Sequence, residues 1–139
     1  MSGEYYALMW RRAERFLLRA SRDLGEGDYD GACFNAEEAI QLALKAVLYK
    51  YFGELPRVHG SRTLLARLRN LLMDAGRGDV ASIVGGFVSD SRDALDVLEE
   101  SYTMARYGVL SYGETQGRLC VETTRRALEV LREVEGRLG

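Results

Sequence analysis

Asp28-Tyr-Asp-Gly-Ala-Cys-Phe-Asn-Ala-Glu-Glu-Ala-Ile-Gln-Leu-Ala-Leu-Lys-Ala-Val-Leu-Tyr-Lys-Tyr-Phe-Gly53 decides the fold, with Glu54-Leu-Pro-Arg-Val-His59 and the amphipathic run behind it to Leu72. Cys33, Ala36, Ile40, Ala43, Val47 and Tyr51 recur at steps of three and four, the period of one buried helix face. Most of these residues are small, so another helix backbone can approach closely. Asp28 or Asp30 is placed to cap the helix by accepting from its free first-turn N–H groups. Gly53 stops it and Pro56 prevents continuation. A third helix starts near Ser61, a candidate cap, and carries Leu64, Leu65, Leu68, Leu71 and Leu72 on one side; Gly76 and Gly78 close it.

Outward from this core the same period continues. A first helix spans Glu4 to Leu24, with Ala13, Phe16, Leu17, Ala20 and Leu24 inward and Gly25 and Gly27 at its end. A fourth opens at Asp79 or Ser82 and carries Val80, Ile83, Val84, Phe87, Leu95, Leu98 and Tyr102. Gly85-Gly86 within it costs about 1 kcal/mol per glycine relative to alanine, and marks a kink or a close helix contact. After a loop with Gly108 and Gly113, a fifth helix covers Glu114 to Leu138. No segment alternates as a strand does. The expected fold is all-α, an antiparallel bundle of about five helices in one domain over residues 1–139.

With 139 residues the chain can bury a core without metal or disulfide staples. A net charge of −2 argues against a broadly basic nucleic-acid-binding protein and leaves room for a local patch. Cys33 and Cys120 both fall on inward helix positions without metal-ligand spacing and read as two small core thiols, though a bridge between their helices is not excluded. No signal peptide or membrane span is expected: the apolar run Tyr5 to Trp10 is short and Arg11 and Arg12 follow it. The expected location is the cytoplasm. Scarce amides fit a thermophilic source, while arginine over lysine is also what codon bias produces.

Three segments together carry a resemblance. The run Ala36 to Ala46, the segment Leu55 to His59, and Tyr102 to Tyr112 with its Ala-Arg-Tyr-Gly resemble the HEPN domain, an all-helical family. The chain is most similar to the small prokaryotic or archaeal members found beside minimal nucleotidyltransferases. Many HEPN members are metal-independent ribonucleases. Their motif is an arginine followed by four to six residues and a histidine: arginine steadies the scissile phosphate and histidine exchanges a proton with the ribose 2′-OH. Here Arg106 matches the arginine, but Tyr107 to Gly113 hold no histidine and none follows downstream. The ribonuclease role is therefore not carried over. Arg106 reads either as a helix-end arginine on carbonyls or a carboxylate, or as an anion contact in a dimer cleft. Tyr112 lies one position out of register with a tyrosine that partner nucleotidyltransferases modify in some members.

Among other charged residues, His59 is a lone loop histidine, more in keeping with a capping group than a catalyst. Arg57, Arg62, Arg67, Arg69 and Arg77 stand against only Asp74, and Arg62 and Arg69, seven apart, share a helix face that is either solvated or able to receive phosphate. Asp79, Asp90, Asp93, Asp96, Glu99 and Glu100 against Arg92 make the fourth helix acidic, so the two helices suggest complementary patches within a chain or between chains. Arg11, Arg15, Arg19 and Arg22 line one face of the first helix. No phosphate loop, metal cluster or nucleophile triad is present, and no cofactor is expected.

The favoured expectation is a non-catalytic HEPN-fold interaction or nucleotide-binding module. It would be a homodimer or higher homo-oligomer partnering a minimal nucleotidyltransferase in a toxin–antitoxin-like pair, with nucleotide or RNA as ligand. The alternatives are a ribonuclease with a degenerate motif and an oligomeric scaffold without a ligand.

Overall fold

The computed structural model describes residues 2–104, 107–108 and 111–139. It forms six helices: α1 (Ser2–Gly25), α2 (Tyr29–Phe52), α3 (Ser61–Asp74), α4 (Gly78–Asp90), α5 (Arg92–Met104) and α6 (Glu114–Leu138). The all-helical bundle is as expected, with one more helix because the expected fourth helix is divided. The division falls at Ser91 rather than at the glycine pair. Ser91 has left helical geometry (φ −120°, ψ 18°) and its N–H bonds Val88 O at 3.2 Å, while its own carbonyl accepts from Leu95 N at 2.9 Å. Ser91 thus ends one helix and starts the next. Ser89, Asp90 and Ser91 are residues whose side chains compete for backbone hydrogen bonds, which makes this the weakest place in the run.

Helix α2 is the axis of the bundle and packs against α1, α3, α5 and α6. Accordingly it is apolar nearly all round: Ala32, Ala39, Leu44, Ala46 and Leu48 are buried in addition to the expected stripe. Asp28 is its cap, accepting from Gly31 N at 2.9 Å, and Gly53 ends it in the left-handed region at φ 66°. Asp30 has a different task and accepts from Tyr112 N at 2.6 Å. Leu64, Leu65, Leu68 and Leu72 of α3, Leu95 and Leu98 of α5, and Leu131 of α6 close on α2 and are fully excluded from solvent. Each such leucine contributes about 1.5–3 kcal/mol of apolar burial.

Two expectations about individual residues are corrected. Cys33 and Cys120 are not separate thiols: they form a disulfide linking α2 to α6, with Cα atoms 5.1 Å apart, inside the reach of that bond. Phe16 does not face the core; Met9 and Trp10 take the inward positions of α1 beside Ala13 and Ala20, and Phe16 lies half-buried under the Arg19 guanidinium at 4.7 Å.

At the opposite end of α6, Glu135 ties α1 to the bundle. It accepts from Tyr6 Oη at 2.6 Å, Trp10 Nε1 at 3.1 Å and Arg132 Nη1 at 3.1 Å, and the Arg132 guanidinium stacks 3.7 Å from the Trp10 ring centre. Burial first, then the Glu135 carboxylate, pushes the Tyr6 phenol up to about 12. Among the described residues, no helix is long and apolar enough to cross a membrane.

Candidate anion groove on helices α3 to α5

Helix α3 begins without a side-chain cap of its own. Ser61, the expected cap, is instead the first helical residue, and Gly60 precedes it at φ 114°. The first-turn donors are satisfied from elsewhere in the bundle. Ser61 N–H donates to Glu37 Oε2 at 2.8 Å and Arg62 N–H donates to Glu99 Oε1 at 2.6 Å. Two carboxylates at a helix N-terminus also meet the positive end of its dipole. Glu37 is fully buried, and its Oε2 also accepts from Gln41 Nε2 at 2.8 Å. Burial first, with a smaller push from neighbouring Glu99, raises its pKa to about 7 against the pull of these hydrogen bonds. Glu37 Oε1 and Ser61 Oγ have no hydrogen-bond partner among the described residues.

These anchors fix the pitch of α3 against α4 and α5 and open a groove of about 890 Å³ between them. Arg62 and Arg69 stand on its α3 side, as their seven-residue spacing implies, and Arg92 joins them from the start of α5. Ser82, Ser89 and Asn70 also line it, and Gly85 and Gly86 form the α4 wall. A Cβ at Gly85 would come within 3.1 Å of Arg69 Nε, so this glycine lets the arginine lie against α4; a Cβ at Gly86 would meet nothing within 4 Å. Gly85 therefore marks a close approach of a side chain, and the helix does not break at the pair.

The basic cluster is less uniform than its sequence count. Arg67 is held by Glu54 in a two-bond pair at 2.7 Å, which lowers the Glu54 pKa, and Arg77 is held by Asp79 at 3.2 Å. Arg62 pairs with Asp96. Arg69 and Arg92 have no ion pair or hydrogen bond from their side chains among the described residues. Much of the acidic face is engaged in the same way: Asp96 meets Arg62, Glu99 caps α3, Glu100 accepts from Tyr112 Oη at 2.7 Å and Asp90 meets Arg126 at 3.6 Å. The charge complementarity of these helices thus operates within one chain.

The remaining candidates lie apart from this groove. Arg57 and His59 are exposed in the segment between α2 and α3 and do not line it. Arg106 lies outside the described residues. Tyr112 is half-buried, and burial with the Glu100 contact pushes its phenol well above the usual tyrosine range. Among the described residues no three metal-ligating side chains stand together. Chemically, the groove offers permanent cations and neutral donors beside the Glu99 carboxylate, a set suited to holding an anion at the arginines.

The HEPN domain model matches residues 6–134, and this chain belongs to the HEPN domain family. No curated protein and no solved structure matches it significantly.

Arg92 and Glu37 had no distinct signal in the sequence. Arg92 sat in a run of acids and counted only against them. Glu37 stands next to Ala36 on the expected inward stripe of a helix that is apolar nearly all round, and that position was the available sign that a carboxylate there is buried.

Proposed function

We propose that this protein is a non-catalytic HEPN module that recognises phosphate-bearing ligands, nucleotide or RNA, and works in the cytoplasm as the partner of a minimal nucleotidyltransferase in a toxin–antitoxin-like pair. The observation that carries the reading is the motif itself: Arg106 is retained while no histidine follows it. A phosphate grip without a proton-transfer group binds and does not cut. Arg62 and Arg69 supply further phosphate contacts in the groove, Arg106 an anion contact at a subunit cleft, and Arg57 and His59, exposed on the segment before α3, are separate candidate contacts. HEPN domains commonly assemble as oligomers, and a two-fold homodimer is the simplest form here. Tyr112 is the position at which a partner nucleotidyltransferase would act, after its hydrogen bond to Glu100 opens. The buried disulfide fits an intracellular protein of a thermophile, a setting in which such bonds persist.

The neighbouring reading frame is expected to encode a minimal nucleotidyltransferase, and co-expression with it tests the reading. A stable complex is expected, together with nucleotide or RNA binding by the free protein that weakens when Arg62 and Arg69 are both changed to Glu. Absence of a complex removes the partnership, and unchanged binding of both in the double variant leaves the two arginines as a solvated face.

A further inference from the structure

We infer that the groove between α3 and α4 holds a short polyphosphate chain, gripped by Arg69 and Arg92, rather than the continuous backbone of an RNA strand. This deepens the reading of the groove as a phosphate site and rests on it.

Four features converge on a compact anion. Among the described residues, Arg62 is neutralised by a carboxylate, while Arg69 and Arg92 reach the groove from different helices without an ion pair or hydrogen bond from their side chains. Arginine presents parallel N–H donors that match phosphoryl oxygens, and it stays charged at any working pH. The wall opposite Arg69 lacks side chains at Gly85 and Gly86. Gly85 is explained by the 3.1 Å approach of Arg69, but Gly86 would tolerate a Cβ with nothing within 4 Å. A mid-helix glycine with no packing reason, at a cost of about 1 kcal/mol relative to alanine, keeps the groove open at that point.

The limits of the positive region set the length of the ligand. At the Arg62 end, Asp96 pairs with the guanidinium and Glu99 stands on the groove wall. A strand carrying one phosphate per nucleotide would have to run its next charge against these carboxylates. A short chain of linked phosphates can engage Arg69 and Arg92 without extending its charge along Asp96 and Glu99. Ser89 and Asn70 offer neutral donors for bridging and terminal oxygens.

The test is titration calorimetry with inorganic tripolyphosphate and, separately, a twelve-residue single-stranded RNA, on the wild-type chain and on Arg69→Gln, Arg92→Gln and Gly86→Leu. Tripolyphosphate is expected to bind, with loss of about tenfold in each arginine variant, the size of one charge-assisted contact. Gly86→Leu fills the groove from an exposed, uncrowded position; it is expected to abolish tripolyphosphate binding while the melting temperature holds or rises. Tripolyphosphate affinity unchanged in the three variants overturns the site. RNA binding sensitive to Arg69 without tripolyphosphate binding overturns the short-chain ligand and leaves a phosphate groove. Failure of both ligands to bind removes the phosphate reading itself.

Discussion

Glu37 and Ser61, 24 residues apart, are joined by a 2.8 Å hydrogen bond from the Ser61 backbone N–H to the buried Glu37 carboxylate. The bond docks the start of α3 onto the middle of α2 and so sets one edge of the groove. It also places a group raised to about 7 inside the bundle, with Gln41, Ser61 and Glu99 facing it.

Stability is expected to respond to pH through this carboxyl. An unfolded glutamate ionises near 4.3, whereas folded Glu37 holds its proton until about pH 7. Between those values the native state binds more protons than the unfolded state, so stability falls as pH rises from about 4.5 to about 7 and then levels. The loss is of the order of 3 kcal/mol. Glu37→Gln keeps a carbonyl for the Ser61 N–H and removes the titration. Urea unfolding at pH 5 and pH 7.5 should show wild type losing about 2 kcal/mol more than the variant between the two conditions. Equal losses in both proteins would remove Glu37 as the source.

The disulfide between Cys33 and Cys120 spans 87 residues of chain. Loops of that size closed by a native bond are associated with about 2–5 kcal/mol of stability. Denatured protein prepared without reductant should therefore react with no thiol reagent, and Cys33→Ala with Cys120→Ala should lower the unfolding free energy by that order. Two reactive thiols in the non-reduced protein would contradict the bond.

Two glycines of α6 should respond to alanine with opposite signs. A Cβ at Gly117 would lie 2.9 Å from Tyr29 Cδ1, 3.2 Å from Tyr29 Cβ and 3.4 Å from Leu24 Cδ1, against the turn that joins α1 to α2. Relief requires moving that turn, so Gly117→Ala should destabilise by about 1–3 kcal/mol despite its helical gain. Gly136 has nothing within 4 Å of such an atom. Gly136→Ala should stabilise by up to about 1 kcal/mol. Thermal melts of the two variants decide, and a stabilised Gly117→Ala would mean the contact at Tyr29 gives way freely.

The sequence made helix type and facing legible because period and caps are local properties. Asp28, Gly53 and the leucines of α3 stand where the pattern placed them. Distances between helices are not local. The inward direction of Cys33 and Cys120 could be read, but not the 5.1 Å separation of their Cα atoms that lets them bond. The same limit governs the groove. A count of arginines around position 65 cannot say that Glu54 takes Arg67 and Asp96 takes Arg62 while Arg69 and Arg92 stay uncommitted, because each partner comes from another element. Ser91 was hidden for a different reason: the apolar stripe keeps its phase across the break, from Val84 and Phe87 to Leu95 and Leu98.

The isolated protein is expected not to cleave RNA by the family's metal-independent route. That route needs a group exchanging a proton with the 2′-OH near pH 7, within hydrogen-bond reach of a phosphate held by arginine. After Arg106 the chain offers serine, tyrosine and apolar residues through Gly113, and the Tyr112 phenol is pushed further from neutrality by its burial and by Glu100. His59, the sole histidine, is exposed on the segment before α3, outside the arginine groove. It would serve only if a second subunit brought it to Arg106. Incubation with single-stranded RNA in chelator, beside His59→Ala and Arg106→Ala, separates the cases. No cleavage by any of the three is the expected result. Cleavage by wild type that disappears in both variants would make His59 the base and the protein a ribonuclease with its two catalytic groups far apart in sequence. Equal cleavage by all three would identify a contaminating nuclease.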